Sequence, residues 1–125
     1  MVQALLGRLF QNSAKSQGQQ EQAARALESD QSVILQFTRQ KCSLCSAVRK
    51  EVEQVPQAHQ VAVVTLDVDD INWLPEVTYY DIQQVPSFVL LNSRGKALCK
   101  SAPPKDKDSV MRSLASILAR TERSV

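Results

Sequence analysis

Apolar residues fall in three short runs separated by helical stretches. Val33, Ile34, Leu35 and Phe37 form the first run, β-branched and dense enough for a buried strand. Val61 to Val68 forms the second, and Phe88 to Leu91 the third. Between the first two runs, Cys45, Val48, Val52 and Val55 recur at helical spacing, and Pro56 is expected to stop that helix. Residues 70–80, with Trp73, Leu74 and Val77, suggest a short helix that Pro75 interrupts. Asn92-Ser93-Arg94-Gly95 reads as a turn, after which Lys96 to Lys100 pairs back as a hairpin strand. A last helix carries Val110, Leu114, Ile117, Leu118 and Thr121 on one stripe. Asp106 or Asp108 can cap its start, and Arg120 and Arg123 suit its C-terminal end. Strands alternating with helices imply parallel pairing, and the hairpin adds an antiparallel edge, so an α/β fold with a mixed sheet is expected.

The N-terminal stretch reads differently. Ala23, Ala24 and Leu27 give a short amphipathic helix leading into the first strand. Before it, residues 1–20 form an extension apart from the domain at 21–125. Val2, Leu5, Leu6, Leu9 and Phe10 make an apolar stripe there, and the chain turns polar from Asn12. It reads as a helix docking to the domain or a partner, as a mobile tail, or as a targeting or membrane-surface helix. Arg8 breaks the apolar region a secretory signal needs, so the expected location is cytoplasmic or a reducing organelle, not secreted. No apolar run approaches the roughly 20 residues that span a bilayer, so membrane insertion is not expected.

Composition narrows the chemistry. The 125 residues suit one domain. The three glycines are too scattered for a phosphate-cradling loop, and one histidine, His59, excludes a multi-histidine metal site. Fifteen Lys+Arg against thirteen Asp+Glu give a net charge of +2 without basic clustering, and the longest charge cluster is acidic, Asp67, Asp69 and Asp70 followed by Glu76 and Asp81, so no nucleic-acid partner is expected. Three cysteines are too few for a disulfide scaffold and odd in number.

Sulfur chemistry is what remains. Cys42-Ser43-Leu44-Cys45 stands where a buried strand meets a helix. Unpaired backbone N–H groups and the positive dipole end of a first helical turn stabilise a thiolate, which places Cys42 as nucleophile. Cys45, one turn on and within the apolar stripe, is the more buried sulfur and the resolving one. Arg39 and Lys41 add positive charge beside Cys42. Half of a zinc site, with Cys99 or His59 as further ligands, and an inert structural pair are the competing readings. Cys99 itself reads as a small half-buried strand residue, or as a regulatory thiol. Trp73 reads as a packing residue. Asp69, Asp70 and Glu76 around it would form an acidic surface opposite Arg39 and Lys41. His59 reads as an exposed loop residue.

Three segments together resemble the thioredoxin superfamily. They are Val33-Ile34-Leu35-Gln36-Phe37 leading to Cys42-Ser43-Leu44-Cys45, then Leu66-Asp67-Val68-Asp69, then Tyr80 through Leu91 containing Val85-Pro86-Ser87. The likeness covers roughly residues 21–120 and implies a thioredoxin-like fold, a central mixed sheet flanked by helices. It also implies a thiol–disulfide oxidoreductase with no cofactor beyond the Cys42/Cys45 dithiol, acting on protein disulfides and recharged by a reductant. Pro86 would be cis against the sulfurs, and Val85 would offer its backbone groups to an extended substrate. The alternative at Pro86 is a trans proline that begins an edge strand. The family pattern is not complete. Lys41 stands where a Trp is usual, Ser43-Leu44 where Gly-Pro is frequent, and Gln84 where a Gly often precedes the hydrophobic–Pro pair. Gln36 and Thr65 replace a buried Asp and its Lys partner, which removes the usual proton acceptor for Cys45. The stretch Phe37 to Cys45 also resembles glutaredoxin-like proteins. A binding or redox-sensing module on the same fold is the second functional expectation, its N-terminal helix docking to a partner.

Overall fold

The structure is a computed structural model that describes residues 31–123. The expectations for residues 1–20 and for a helix around Ala23 to Leu27 lie outside the described residues. The strands are β1 (Ser32–Thr38), β2 (Val61–Asp67), β3 (Ser87–Leu91) and β4 (Ala97–Lys100). The helices are α1 (Ser43–Ala47), α2 (Arg49–Ala58), α3 (Leu74–Tyr79), preceded by a 3₁₀ turn at Ile71–Trp73, and α4 (Lys107–Arg123).

The four described strands form one sheet in the order β2-β1-β3-β4. β1 and β2 are parallel, β3 is antiparallel to β1, and β4 is antiparallel to β3 with a register shift at Leu90/Leu91. The sheet is mixed as expected, but β3 does not continue the parallel series. The connection explains this. A seven-residue strand is about 23 Å long, whereas the six residues of α3 rise only about 9 Å. The helix cannot carry the chain back along the sheet. β3 therefore starts at the end where β2 stops, with Ser87 opposite Phe37, and runs the other way.

Period-two alternation splits the core. Val33, Leu35 and Phe37 face one side with Leu66, Trp73, Tyr80 and Leu91. Ile34 faces the other with Phe88 and Leu90, covered by Val48, Val52 and Val55 of the first helical stretch and by Val110, Leu114 and Ile117 of α4. Each such aliphatic side chain removed from water contributes about 1.5–3 kcal/mol.

Two prolines behave otherwise than their positions suggest. Pro56 lies inside α2, which continues to Ala58. In the last turn only one hydrogen bond is lost, and the His59 N–H closes the helix on the Val55 carbonyl at 2.9 Å. The interruption falls instead at Val48, where φ −102° and ψ 2° separate α1 from α2. Pro75 sits in the first turn of α3 and opens that helix, because no donor is needed there. Asp106, not Asp108, caps α4, its carboxylate accepting the Ser109 N–H at 2.8 Å. Gly95 takes a φ of 84° in the turn between β3 and β4, where a side chain would clash. His59, expected as an exposed loop residue, is half-buried at the C-terminal cap of α2.

Candidate active site

β1 delivers the chain to Cys42, whose extended backbone (φ −128°, ψ 108°) ends the approach and caps α1. The Cys45 N–H donates to Cys42 Sγ at 3.1 Å, so the sulfur fills the place a capping oxygen usually takes. Once the pair is reduced, a backbone donor aimed at that atom favours the thiolate over the thiol. Cys42 and Cys45 are paired as a disulfide, their Cα atoms 5.2 Å apart. Cys45 is 7% exposed and Cys42 half-buried, as the apolar stripe requires.

A second segment meets the pair from across the sheet. The Val85–Pro86 peptide is cis. The Val85 carbonyl oxygen lies 3.9 Å from Cys42 Sγ, and Pro86 is buried behind it. That loop is fastened at both sides. Ser87 Oγ donates to the Gln84 carbonyl. Lys100 Nζ, from β4, donates to the Tyr80 and Asp81 carbonyls at 3.1 Å each. Both carbonyls lie just past the end of α3, where a cation is favoured. Asp81 takes a φ of 53° to turn the chain there.

The charged residues are arranged differently from a basic rim facing an acidic surface. Arg39 Nε donates to both carboxylate oxygens of Asp69, at 3.2 and 3.1 Å, so its charge is shared with that partner. Asp67 accepts the Asp69 N–H at 2.9 Å within its own turn. Asp70 caps the 3₁₀ turn by accepting from the Asn72 N–H at 3.0 Å. Glu76, on α3, is wholly buried and contributes nothing to the surface. Asp69 is thus paired with Arg39 rather than standing opposite it, while Asp67 and Asp70 hold local turns. Lys41 stands exposed next to Cys42. Cys99 is half-buried in β4 with its thiol held above the usual range by burial, partly offset by Arg120. Among the described residues no group of three or more His, Cys, Asp or Glu side chains could hold a metal. No helix among them is long and apolar enough to cross a membrane.

Beneath Cys45, Gln36 and Thr65 are register partners on adjacent strands. The Thr65 hydroxyl donates to Gln36 Oε1 at 3.1 Å. A cleft of about 230 Å³ runs from there past Cys45 to Arg49 and Glu53 on α2. Nothing in the motif itself marks these two residues. Their spacing from Cys45, four and eight residues on, was the available signal. A smaller pocket of about 110 Å³ lies on the other side of Val85, walled by Val68, Val77 and Ile82 with Arg39 at its edge.

Comparison with known proteins agrees with this geometry. Residues 14–116 match the Thioredoxin family. The thiol:disulfide interchange protein TxlA of Synechococcus elongatus is 32% identical over 73 residues, which is 57% of this chain and 38% of that protein. Its homolog in Synechocystis is 30% identical over 80 residues, 62% of this chain and 44% of that protein. The chain spans less than half the length of these curated relatives. Among solved structures, the Deadhead thioredoxin of Drosophila melanogaster aligns with a TM-score of 0.60 at 20% identity, covering 77% of this chain and 89% of that one. A mutant thioredoxin from Halobacterium salinarum aligns at 0.58 and 24% identity, covering 74% and 80%. The extent of the family match, together with the fold and the paired Cys42 and Cys45, shows that this chain belongs to the thioredoxin family.

Proposed function

We propose that the protein is a thiol–disulfide oxidoreductase acting on protein disulfides by two-step exchange. The Cys42 thiolate attacks a substrate disulfide, forming a mixed disulfide and expelling one substrate thiolate. Cys45 then attacks Cys42 Sγ, closing the Cys42–Cys45 bond and releasing the second substrate thiolate. Two electrons pass to the substrate, and an external dithiol reductant returns them. The observation that carries this is the placement of Cys42 Sγ, 3.1 Å from the Cys45 N–H and 3.9 Å from the Val85 carbonyl. The first contact favours the thiolate. The second sets the sulfur beside a strand edge where an extended substrate can pair with the Val85 backbone. Lys41 adds a cation at the rim, while Arg39, paired with Asp69, shapes the groove beside Val85. No cofactor beyond the dithiol is needed. The compartment must supply a reductant, which fits the cytoplasm or a reducing organelle. The names of the two curated relatives, thiol:disulfide interchange proteins, support the same activity.

The neutral Gln36–Thr65 pair favours a second reading, a binding or redox-sensing module with slow turnover. Turnover separates the two. The reduced protein is expected to reduce the interchain disulfides of insulin with dithiothreitol as electron source, and Cys42→Ser is expected to abolish this. Stoichiometric oxidation of the pair without turnover would instead favour the sensing module.

A further inference from the structure

Cys45 must lose a proton before it can attack, and the groups beneath it are neutral. Gln36 Oε1 accepts the Thr65 hydroxyl hydrogen at 3.1 Å, so neither offers a charged base. Cys45, in its disulfide with Cys42, is 7% exposed and lines the cleft of about 230 Å³. That volume admits several waters, and Gln36, Thr65 and the cleft's other polar groups give them partners. The ionisable groups facing it are few. The end of β1 supplies Arg39, α2 supplies Arg49 and Glu53, and β2 supplies only the neutral Thr65. Among the described residues Glu53 is the single carboxylate lining the cleft, and no hydrogen bond or ion pair to a described residue engages it.

We infer that Glu53 accepts the Cys45 proton through water in this cleft, in place of a carboxylate at position 36. This rests on the exchange mechanism proposed above and names a positioning residue for its second step. The proton leaves Cys45 Sγ for a cleft water, and that water passes one to the Glu53 carboxylate. The Cys45 thiolate then forms the S–S bond to Cys42 while the Cys42–substrate S–S bond breaks. The departing substrate thiolate carries away the electron pair and takes its proton from solvent. Arg49, on the same wall, stabilises the transient thiolate charge.

The test uses the reduced full chain with Cys99→Ser and the aromatic disulfide dithionitrobenzoate. One coloured thiolate is released when Cys42 attacks and a second when Cys45 resolves the mixed disulfide. With Glu53→Gln, the second release is expected to slow roughly tenfold near pH 6, less than for a base in direct contact because water intervenes. The difference should vanish as pH rises past the free-thiol range near about 8.5, where bulk hydroxide ionises Cys45 directly. Gln36→Asp added to Glu53→Gln should restore the rate. A second release unchanged at all pH values would overturn the role of Glu53 and leave the exchange mechanism standing. Equal slowing at every pH would also overturn it, because a distorted cleft would act that way. Absence of the first release would remove the exchange mechanism itself, and this inference with it.

Discussion

Thr65 donates its hydroxyl hydrogen to Gln36 Oε1 across the parallel β1–β2 pair, on the wall of the cleft that Cys45 also lines. A neutral hydrogen bond thus occupies the floor of the active site, where it satisfies a side chain only 6% exposed. Thr65→Val should cost about 1 kcal/mol, because it removes the hydroxyl that donates to the Gln36 amide oxygen. Replacing both partners, Gln36→Leu with Thr65→Val, should cost clearly less than the sum of the single changes. Urea denaturation of the four proteins measures this cycle, and additive losses would mean the bond contributes nothing.

Tyr80 carries the opposite situation. Its ring packs 6.3 Å from Phe37 and 4.9 Å from Tyr79, but its hydroxyl is buried without a hydrogen-bond partner among the described residues. Tyr80→Phe keeps the ring packing and removes the stranded group, so stability should rise by about 1 kcal/mol. A lower melting temperature for this variant would mean that the hydroxyl has a partner after all.

The same residue sets an alkaline limit. Burial raises the Tyr80 phenol far above its ordinary value of 10.0, with Tyr79 and Glu76 adding to the effect. Burial also raises the Cys99 thiol above 9.0, although Arg120 opposes this. In both cases the folded state holds a proton that the unfolded chain gives up. Their stabilisation is whole below the unfolded values and falls as pH rises through about 9 to 10 and beyond. Unfolding free energy is therefore expected to stay level near neutrality and decline above pH 9. The decline should be shallower in Tyr80→Phe, and an equal slope in both proteins would contradict the assignment.

Arg39 and Asp69 make a close pair on an open surface, with side chains 50% and 58% exposed. Asp69→Asn should change stability by less than about 1 kcal/mol, and the change should shrink further in salt. Its larger effect should be on Cys42, since a released Arg39 adds positive charge near the site. Thiolate absorbance at the Cys42 sulfur should then appear at a lower pH than in the wild type, and an unchanged titration would mean that Arg39 lies outside its reach.

Much of this arrangement was legible in the chain because one-dimensional periodicity translates directly into burial. Val33, Leu35 and Phe37 alternate onto one face, and Cys45, Val48, Val52 and Val55 line one helical stripe, as their spacing implies. The direction of β3 was not legible, because it depends on whether a six-residue helix can span the sheet, a property of lengths in space. Pro56 and Pro75 were misjudged for a related reason. A proline's effect depends on which turn of the helix it occupies, and pattern alone locates turns only to within a few residues. The expected acidic surface opposite a basic rim was not found because composition counts charges without placing them: Asp69 pairs with Arg39, and Glu76 is buried.

The proposed exchange turns on which sulfur first bonds the substrate. Cys45→Ser should trap the mixed disulfide, and peptide mapping by mass spectrometry should find it on Cys42 in the variant protein. No trapped species, or one attached to Cys99 alone, would contradict Cys42 as the nucleophile.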